Sequence, residues 1–398
     1  MPKVLMLGAG PLQLPAIKSA KAAGWHVICA DWNSNAPGFA IADERSITST
    51  LDANAIVELA RSKQVDRVIT STSDAPVRIA SYACERLGLP CGISYEDAVC
   101  ATQKDAMRSR LSEHGIPMPD FTACASYFDF SDAIRSFGWE CVVKPADSSA
   151  SRGVEFICGE MNESDLQALY ETIMAHSRKG VAMVEERARG AEVSVEAMTI
   201  GGVTEILAIT DKLVTDPPFF VELGHSEPSQ LASQTLEEIR RLATRTIGAI
   251  GIVDGPSHTE IMVTERGPVV IETAARLGGD YITSKLVPFS TGIDMVDISV
   301  RLALGLNIEL NRSCSRGAAI RFLTADKSGT LESITIDPAI NDICGLEEID
   351  LYMNPGNLID VPHSSNDRAG HVICTGRTAH DACHALNAAM ECIDVCVA

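Results

Sequence analysis

The first hundred residues alternate short apolar runs with amphipathic stretches. Lys3-Val-Leu-Met-Leu7 is continuously apolar after its first residue, and the turn Gly8-Ala-Gly10 leads into a helical pattern over 14–23. Val27-Ile-Cys-Ala-Asp31 and the run at 65–70 read as further strands, the second ending in the polar loop Ser71-Thr-Ser-Asp74. Apolar strands separated by helices predict a doubly wound parallel sheet. Ligands of such sheets bind at the carboxyl ends of the strands, here the loops at 8–13 and 71–76.

A helix is expected over about 95–114, ended by Gly115-Ile-Pro117-Met-Pro119. An α+β unit with strands at 141–144 and 182–185 follows, then a third unit to about residue 310. The tail opens with the strand-like run at 318–323 and closes in an amphipathic helix over 378–390. The expected domains are 1–95, 96–190, 191–310 and 311–398, making an α/β and α+β multidomain chain.

Two acids break this apolar patterning. His258-Thr-Glu260-Ile-Met and Val270-Ile271-Glu272-Thr-Ala-Ala-Arg276-Leu-Gly278-Gly279-Asp280 each carry a carboxylate in or beside an apolar run. Such a group is costly unless it holds a cation. Thr264-Glu265-Arg266-Gly267-Pro268 reads as a hairpin turn, which would set Glu260 beside Glu272 on antiparallel strands. Two adjacent carboxylates suit a hard, oxygen-ligated ion such as Mg²⁺. Arg276 would then face an anionic substrate. The alternative is a surface hairpin with solvated acids.

Composition narrows the function classes. The chain has 398 residues, 46% hydrophobic and 22% charged, as an ordinary globular protein does. Its net charge of −20 argues against nucleic-acid binding, which needs a basic surface. No run of about 18 apolar residues and no signal-peptide pattern occur, so no membrane partner is expected. Thirteen scattered cysteines without a C-x-x-C pair fit reduced thiols in the cytoplasm. His380-Asp-Ala-Cys383-His384 falls in the terminal helical pattern and reads as solvated helix positions rather than a metal cluster. The Gly8-x-Gly10 turn with Asp31 suggests a dinucleotide fingerprint, but Gln13 stands where its third glycine belongs.

Val142-Val-Lys144-Pro145 leads into Ala-Asp147-Ser148-Ser-Ala-Ser151-Arg-Gly153, a lysine and a small-residue loop able to offer charge and amides to phosphate. Lys104 precedes it in Thr102-Gln-Lys104-Asp-Ala-Met-Arg, and Met183-Val-Glu185-Glu186-Arg-Ala188-Arg-Gly190-Ala-Glu192-Val-Ser-Val-Glu196 follows. The order of Lys, Lys-Pro with its loop, Glu-Glu-x-x-x-Gly-x-Glu, two acids and Glu-x-x-x-Arg resembles the ATP-grasp superfamily over the whole chain. The pattern is similar to the biotin-carboxylase-like branch, and within it to L-amino-acid ligases that form dipeptides.

That resemblance implies a doubly wound pre-ATP-grasp domain, the two-lobed ATP-grasp fold and a small C-terminal α+β cap. It implies ATP with Mg²⁺, or Mn²⁺, as cofactors. Lys104 and Lys144 would contact phosphate, the loop with Ser148, Ser151 and Gly153 would close over it, and Glu185, Glu186 and Ala188 would surround the adenine. Glu192 would accept from ribose, and Glu260 and Glu272 would hold the metal. Many members carry Asn two residues after the second metal acid, where this chain has Ala274.

For substrate, the resemblance points to a carboxylate and an amine, both small molecules, in an enzyme that is usually a homodimer. Arg276 and Lys144 would act on the reacting groups. Asp74 would bind an α-amino group or, alternatively, cap the helix before Pro76. In Phe219-Phe-Val-Glu222-Leu-Gly-His225, Glu222 and His225 would line the pocket, His225 binding substrate, assisting amine deprotonation or serving a structural role. Gly279 and Asp280 would stand at its edge, where Asp280 could favour a cationic second substrate. The expected activity is ATP-dependent carboxylate–amine ligation. The alternatives are a carboxylase or purine-pathway ligase of the same fold, or a non-catalytic nucleotide-binding protein.

Overall fold

The computed structural model describes residues 1–148, 152–215 and 221–398. Ser151, Phe219 and Phe220 lie outside the described residues. The N-terminal sheet is parallel, in the order Glu44–Ile47, His26–Asp31, Lys3–Leu7, Arg67–Thr70. Its apolar strands are buried on both faces. Val4, Met6, Val27 and Cys29 join one core, while Leu5, Leu7, Ile28 and Ala30 join the other. Helices Leu14–Ala22 and Ala53–Lys63 connect strands, and Ala75–Leu87 follows the last of them.

The glycine turn after the first strand is filled from within. Gly8 has φ +102°, and a Cβ there would lie 3.3 Å from Cγ of Gln13. Gln13 is buried and its Nε2 donates to Thr72 Oγ1 at 2.8 Å. Asp31 accepts the Ala9 N–H (2.8 Å) and so braces the turn.

The helix expected over 95–114 is two helices, Tyr95–Cys100 and Lys104–Glu113. Gln103 is extended (φ −129°, ψ 118°), and Lys104 N–H donates to Ala146 O at 2.7 Å. The break therefore brings Lys104 to the root of the lysine-bearing strand. That strand, Glu140–Pro145, belongs to a four-stranded antiparallel sheet ordered Phe121–Cys124, Ala182–Glu186, Glu140–Pro145, Glu155–Cys158. Helices Tyr127–Ser136 and Glu163–Ala175 cover it around Phe130, Ile134, Leu166 and Ile173.

An eight-stranded antiparallel sheet follows, beside a three-stranded one of Leu358–Ile359, Gly329–Ile336 and Ile393–Val397. Its order is Gly267–Ala274, Gly255–Thr264, Ala191–Ile200, Val203–Val214, Glu222–Glu227, Gly317–Leu323, Gly370–Gly376, Leu346–Leu351. The last three strands lie beyond residue 310 and extend the same layer. One face is apolar: Val193, Val195, Ala197, Ile209, Ile261 and Val270 pack on helix Ser233–Ile250. The alternate residues Glu192, Ser194 and Glu196 turn to the opposite face, because side chains alternate along a strand. That face bears the polar residues described below. Helix Ala379–Glu391 begins with a Thr378–Asp381 capping box, and its His384 is exposed. The thirteen cysteines are free thiols, and no helix among the described residues is long and apolar enough to cross a membrane.

Candidate active site

The two acids singled out by patterning meet across the hairpin. Gly255–Thr264 and Gly267–Ala274 pair with Glu260 opposite Glu272. Thr264 closes the turn, accepting the Arg266 N–H at 3.1 Å and donating to Gly267 O at 2.8 Å. Each acid is met by an ammonium. Lys212 Nζ lies 2.9 Å from Glu260, 2.5 Å from Glu192 and 3.7 Å from Glu222. Lys104 Nζ lies 3.1 Å from Glu272 and donates to Ser148 O at 2.8 Å. Burial disfavours charge on Glu260 and Lys212, yet their mutual attraction prevails. The Glu260 carboxyl is held well below its usual range, and Lys212 is held above its own.

Behind Glu260 stands a buried ion pair. His258 Nδ1 is 2.5 Å from Glu196 Oε1, and its Nε2 is 3.6 Å from Glu260. Burial lowers the imidazole, but the Glu196 charge and hydrogen bond outweigh this and raise it to about 9. Gly278 allows the pair to form, since a Cβ there would fall 2.8 Å from both Glu196 Oε1 and His258 Nδ1.

Glu185 is the buried centre of a second cluster. Arg108 grips it with two bonds, Nε to Oε1 at 3.0 Å and Nη2 to Oε2 at 2.9 Å. Lys144 Nζ reaches Glu185 Oε2 at 2.7 Å. Against burial, these two cations hold the Glu185 carboxyl down to about 2, while burial pulls Lys144 below its usual range. Arg108 also donates to Val270 O (3.1 Å) and Ile271 O (2.8 Å), beside Glu272. The strand Ala182–Glu186 is thereby tied to the acid hairpin.

Of the other expected nucleotide contacts, Glu186 pairs with Arg266 at 2.5 Å, and its N–H donates to Asp120 O at 2.8 Å. Ala188 is half-buried beyond the strand end. Asp147 anchors the root of the small-residue loop by accepting from Ser177 Oγ and the N–H groups of Arg178 and Lys179. Gly153 has φ +71° and abuts Pro145 and His176.

Arg276 crosses to the first domain. Its Nε donates to Asp74 Oδ1 at 2.6 Å, and Leu277 N–H donates to Ser71 O at 3.2 Å. The alternative in which Asp74 caps its helix is corrected, because its side chain makes no capping bond there. At the far edge, Arg368 clamps Asp280 with two bonds of 2.8 and 2.9 Å and donates to Glu222 O at 2.8 Å. It lies on the Phe322 ring, 3.7 Å from its centroid. His225 is buried with Nε2 3.4 Å from Asp280. Asp280 is thus neutralised from within. The expectation that it attracts a cationic substrate is corrected on that ground. Gly279 is open, with nothing within 4 Å of a Cβ.

Lys212, Arg108 and Arg368 were not singled out from the sequence. Arg108 had a signal, being four residues after Lys104 and so on one helix face. Lys212 and Arg368 lie on or beside strands whose pairing brings distant acids to them, which no local pattern records.

Residues 137–284 match the ATP-grasp domain model, and residues 321–398 match L-amino acid ligase C-terminal domain 2. The chain belongs to the ATP-grasp superfamily. Its residues 321–398 relate it to the L-amino acid ligases. An L-arginine-specific L-amino acid ligase of Bacillus subtilis is 25% identical over 302 residues, 75% of this chain and 72% of that one. A formate-dependent phosphoribosylglycinamide formyltransferase of Sulfurisphaera tokodaii is 23% identical over 392 residues, 96% and 94% of the two chains. Among solved structures, an L-amino acid ligase from Bacillus licheniformis superposes with a TM-score of 0.83 at 22% identity, covering 100% of this chain and 99% of that one. This ATP-grasp protein is accordingly an enzyme of the ligase and carboxylase type.

Proposed function

We propose that this enzyme joins a carboxylate to an amine at the expense of ATP, with amino acids as substrates. The observation carrying this reading is Arg276, fixed by Asp74 and close enough to the Glu260–Glu272 pair to feel both charges. A guanidinium there can bind a carboxylate next to the phosphoryl group it must accept.

The residues fit a divalent cation. Glu260 and Glu272 lie opposite one another in the strand register, and their carboxylate oxygens are the donors a hard divalent cation takes. Mg²⁺ or Mn²⁺ held there would neutralise phosphate oxygens during transfer. Ala274 in place of Asn removes one further ligand. Lys104 and Lys144 bind the phosphates, Glu192 the ribose, and the strand end at Glu185, Glu186 and Ala188 the adenine.

Chemistry follows from the carboxylate's weakness as an electrophile. Its oxygen takes the γ-phosphoryl group, ADP leaves, and the resulting acyl phosphate is attacked by the amine with loss of phosphate. Arg276 holds the carboxylate and then the oxyanion. Glu222 is the acid most available to a substrate ammonium, since its side-chain contacts to Lys212, Arg368 Nη2 and Ser365 are all 3.3 Å or longer. His225 acts through Asp280 as a positioning residue. A ribose-phosphate substrate would need spare cations besides Arg276, whereas Arg368 and Lys285 are each matched by an acid.

ADP and phosphate release over pairs of amino acids, with ¹⁸O in the substrate carboxylate, tests the reading. Labelled phosphate together with amide product is expected. Unlabelled phosphate with amide product, or turnover confined to phosphoribosyl amines, would overturn it.

A further inference from the structure

Lys212 is buried on the Val203–Val214 strand, its side chain 4% exposed. It meets acids from three other strands, and each of these acids is proposed to serve a different ligand. Glu192 faces the ribose, Glu260 the metal and Glu222 the substrate. The partners of the Lys212 ammonium are carboxylates, whereas Lys104 also holds a carbonyl. Among the described residues, no three or more His, Cys, Asp or Glu are grouped to hold a metal ion. The acid pair alone would supply few of the six oxygens Mg²⁺ prefers.

We propose that Lys212 is a positioning residue that acts as an internal counter-ion lock. It holds Glu192, Glu260 and Glu222 together in the nucleotide-free site and opposes a divalent cation at Glu260 until a polyphosphate arrives. The lock rests on the assignment of Glu260 to the metal made above. A divalent cation on Glu260 would stand within a few ångströms of the ammonium and be repelled by it. Polyphosphate oxygens offer the ammonium a new partner and the metal its missing ligands in one event. Metal and nucleotide then strengthen each other's binding by the same factor, as linkage requires.

Mn²⁺ binding to the full chain, followed by electron paramagnetic resonance and calorimetry with and without ADP, tests this. Wild type should bind Mn²⁺ weakly alone and about tenfold or more tightly with ADP. Lys212→Met should bind Mn²⁺ alone about tenfold more tightly than wild type, and ADP should add less. Adding Glu260→Gln should remove that gain. Because three acids lose their cation, each variant's melting temperature is also followed against Mn²⁺. A larger rise for Lys212→Met, and for the milder Lys212→Gln, supports the lock. If both variants bind Mn²⁺ no better than wild type while wild type keeps its ADP-linked binding, the lock is overturned and the metal assignment stands. Wild type without ADP-linked Mn²⁺ binding would overturn both.

Discussion

Arg276 donates its Nε to Asp74 across 202 residues of sequence, at 2.6 Å. The pair joins the loop after the last strand of the parallel sheet to the segment leaving the acid hairpin. It lowers the Asp74 carboxyl, the attraction of Arg276 outweighing burial, and Arg276 Nη1 donates to Leu277 O at 2.9 Å.

Replacing Arg276 by Lys keeps the charge and loses the planar fork. We expect kcat/KM to fall by about 2–4 kcal/mol, comparable to removing an oxyanion donor. Asp74→Asn should cost less, and the double variant less than the sum, by a coupling of about 0.5–3 kcal/mol. Steady-state kinetics of the four proteins measure it; strict additivity would mean that the two residues act independently.

Glu272→Gln keeps shape and removes the charge that would hold the metal. ADP release should vanish at ordinary Mg²⁺ while the circular dichroism spectrum is unchanged. Near-normal turnover at saturating ATP would exclude Glu272 as a ligand.

Arg108→Met leaves Glu185 buried with Lys144 as its remaining cation and frees the carbonyls of Val270 and Ile271. Breaking such a buried pair costs about 3–5 kcal/mol. Urea unfolding should report this loss. A change under about 1 kcal/mol would show the tie between strands to be dispensable.

Glu227 gives a pH prediction with a definite sign. It is buried, accepts from Thr210 Oγ1 at 2.9 Å and from Ser290 Oγ, and burial raises its carboxyl to about 7 against these bonds. Between about pH 4.5 and 7 the folded chain keeps a proton that the unfolded chain has released, so this group's contribution to stability falls as pH rises. Glu227→Gln removes that dependence. It should be near neutral at pH 4.5 and stabilising by about 3 kcal/mol at pH 8, from the size of the shift. Equal effects at both pH values in urea titrations would rule this out.

Much of the candidate site was legible locally because its rules are short-range. Apolar runs alternating with helices pointed to the parallel sheet. Gly and Pro between two acid-bearing strands pointed to the hairpin and its register. Lys144 before a small-residue loop stood out as a charge at a strand end, and the structure sets it against Glu185. The break between the helices at 95–113 was not legible: helical periodicity continues through it, and the bond from Lys104 N–H to Ala146 O crosses between elements.

Sequence by itself determined the strands, the hairpin and which acids would be costly to bury, since these depend on residue type and on periods of two or 3.6. Tertiary structure alone decided the charge partners. Lys212 among Glu192, Glu260 and Glu222, Arg368 on Asp280, and Asp74 on Arg276 are set by strand order and by the meeting of separate sheets. A side chain's own neighbours in the chain carry no record of such pairings. A buried charge needs a partner within a few ångströms. Here that partner stands from 10 residues away, for Lys212 and Glu222, to 202 away, for Arg276 and Asp74, and it arrives only when the sheets close.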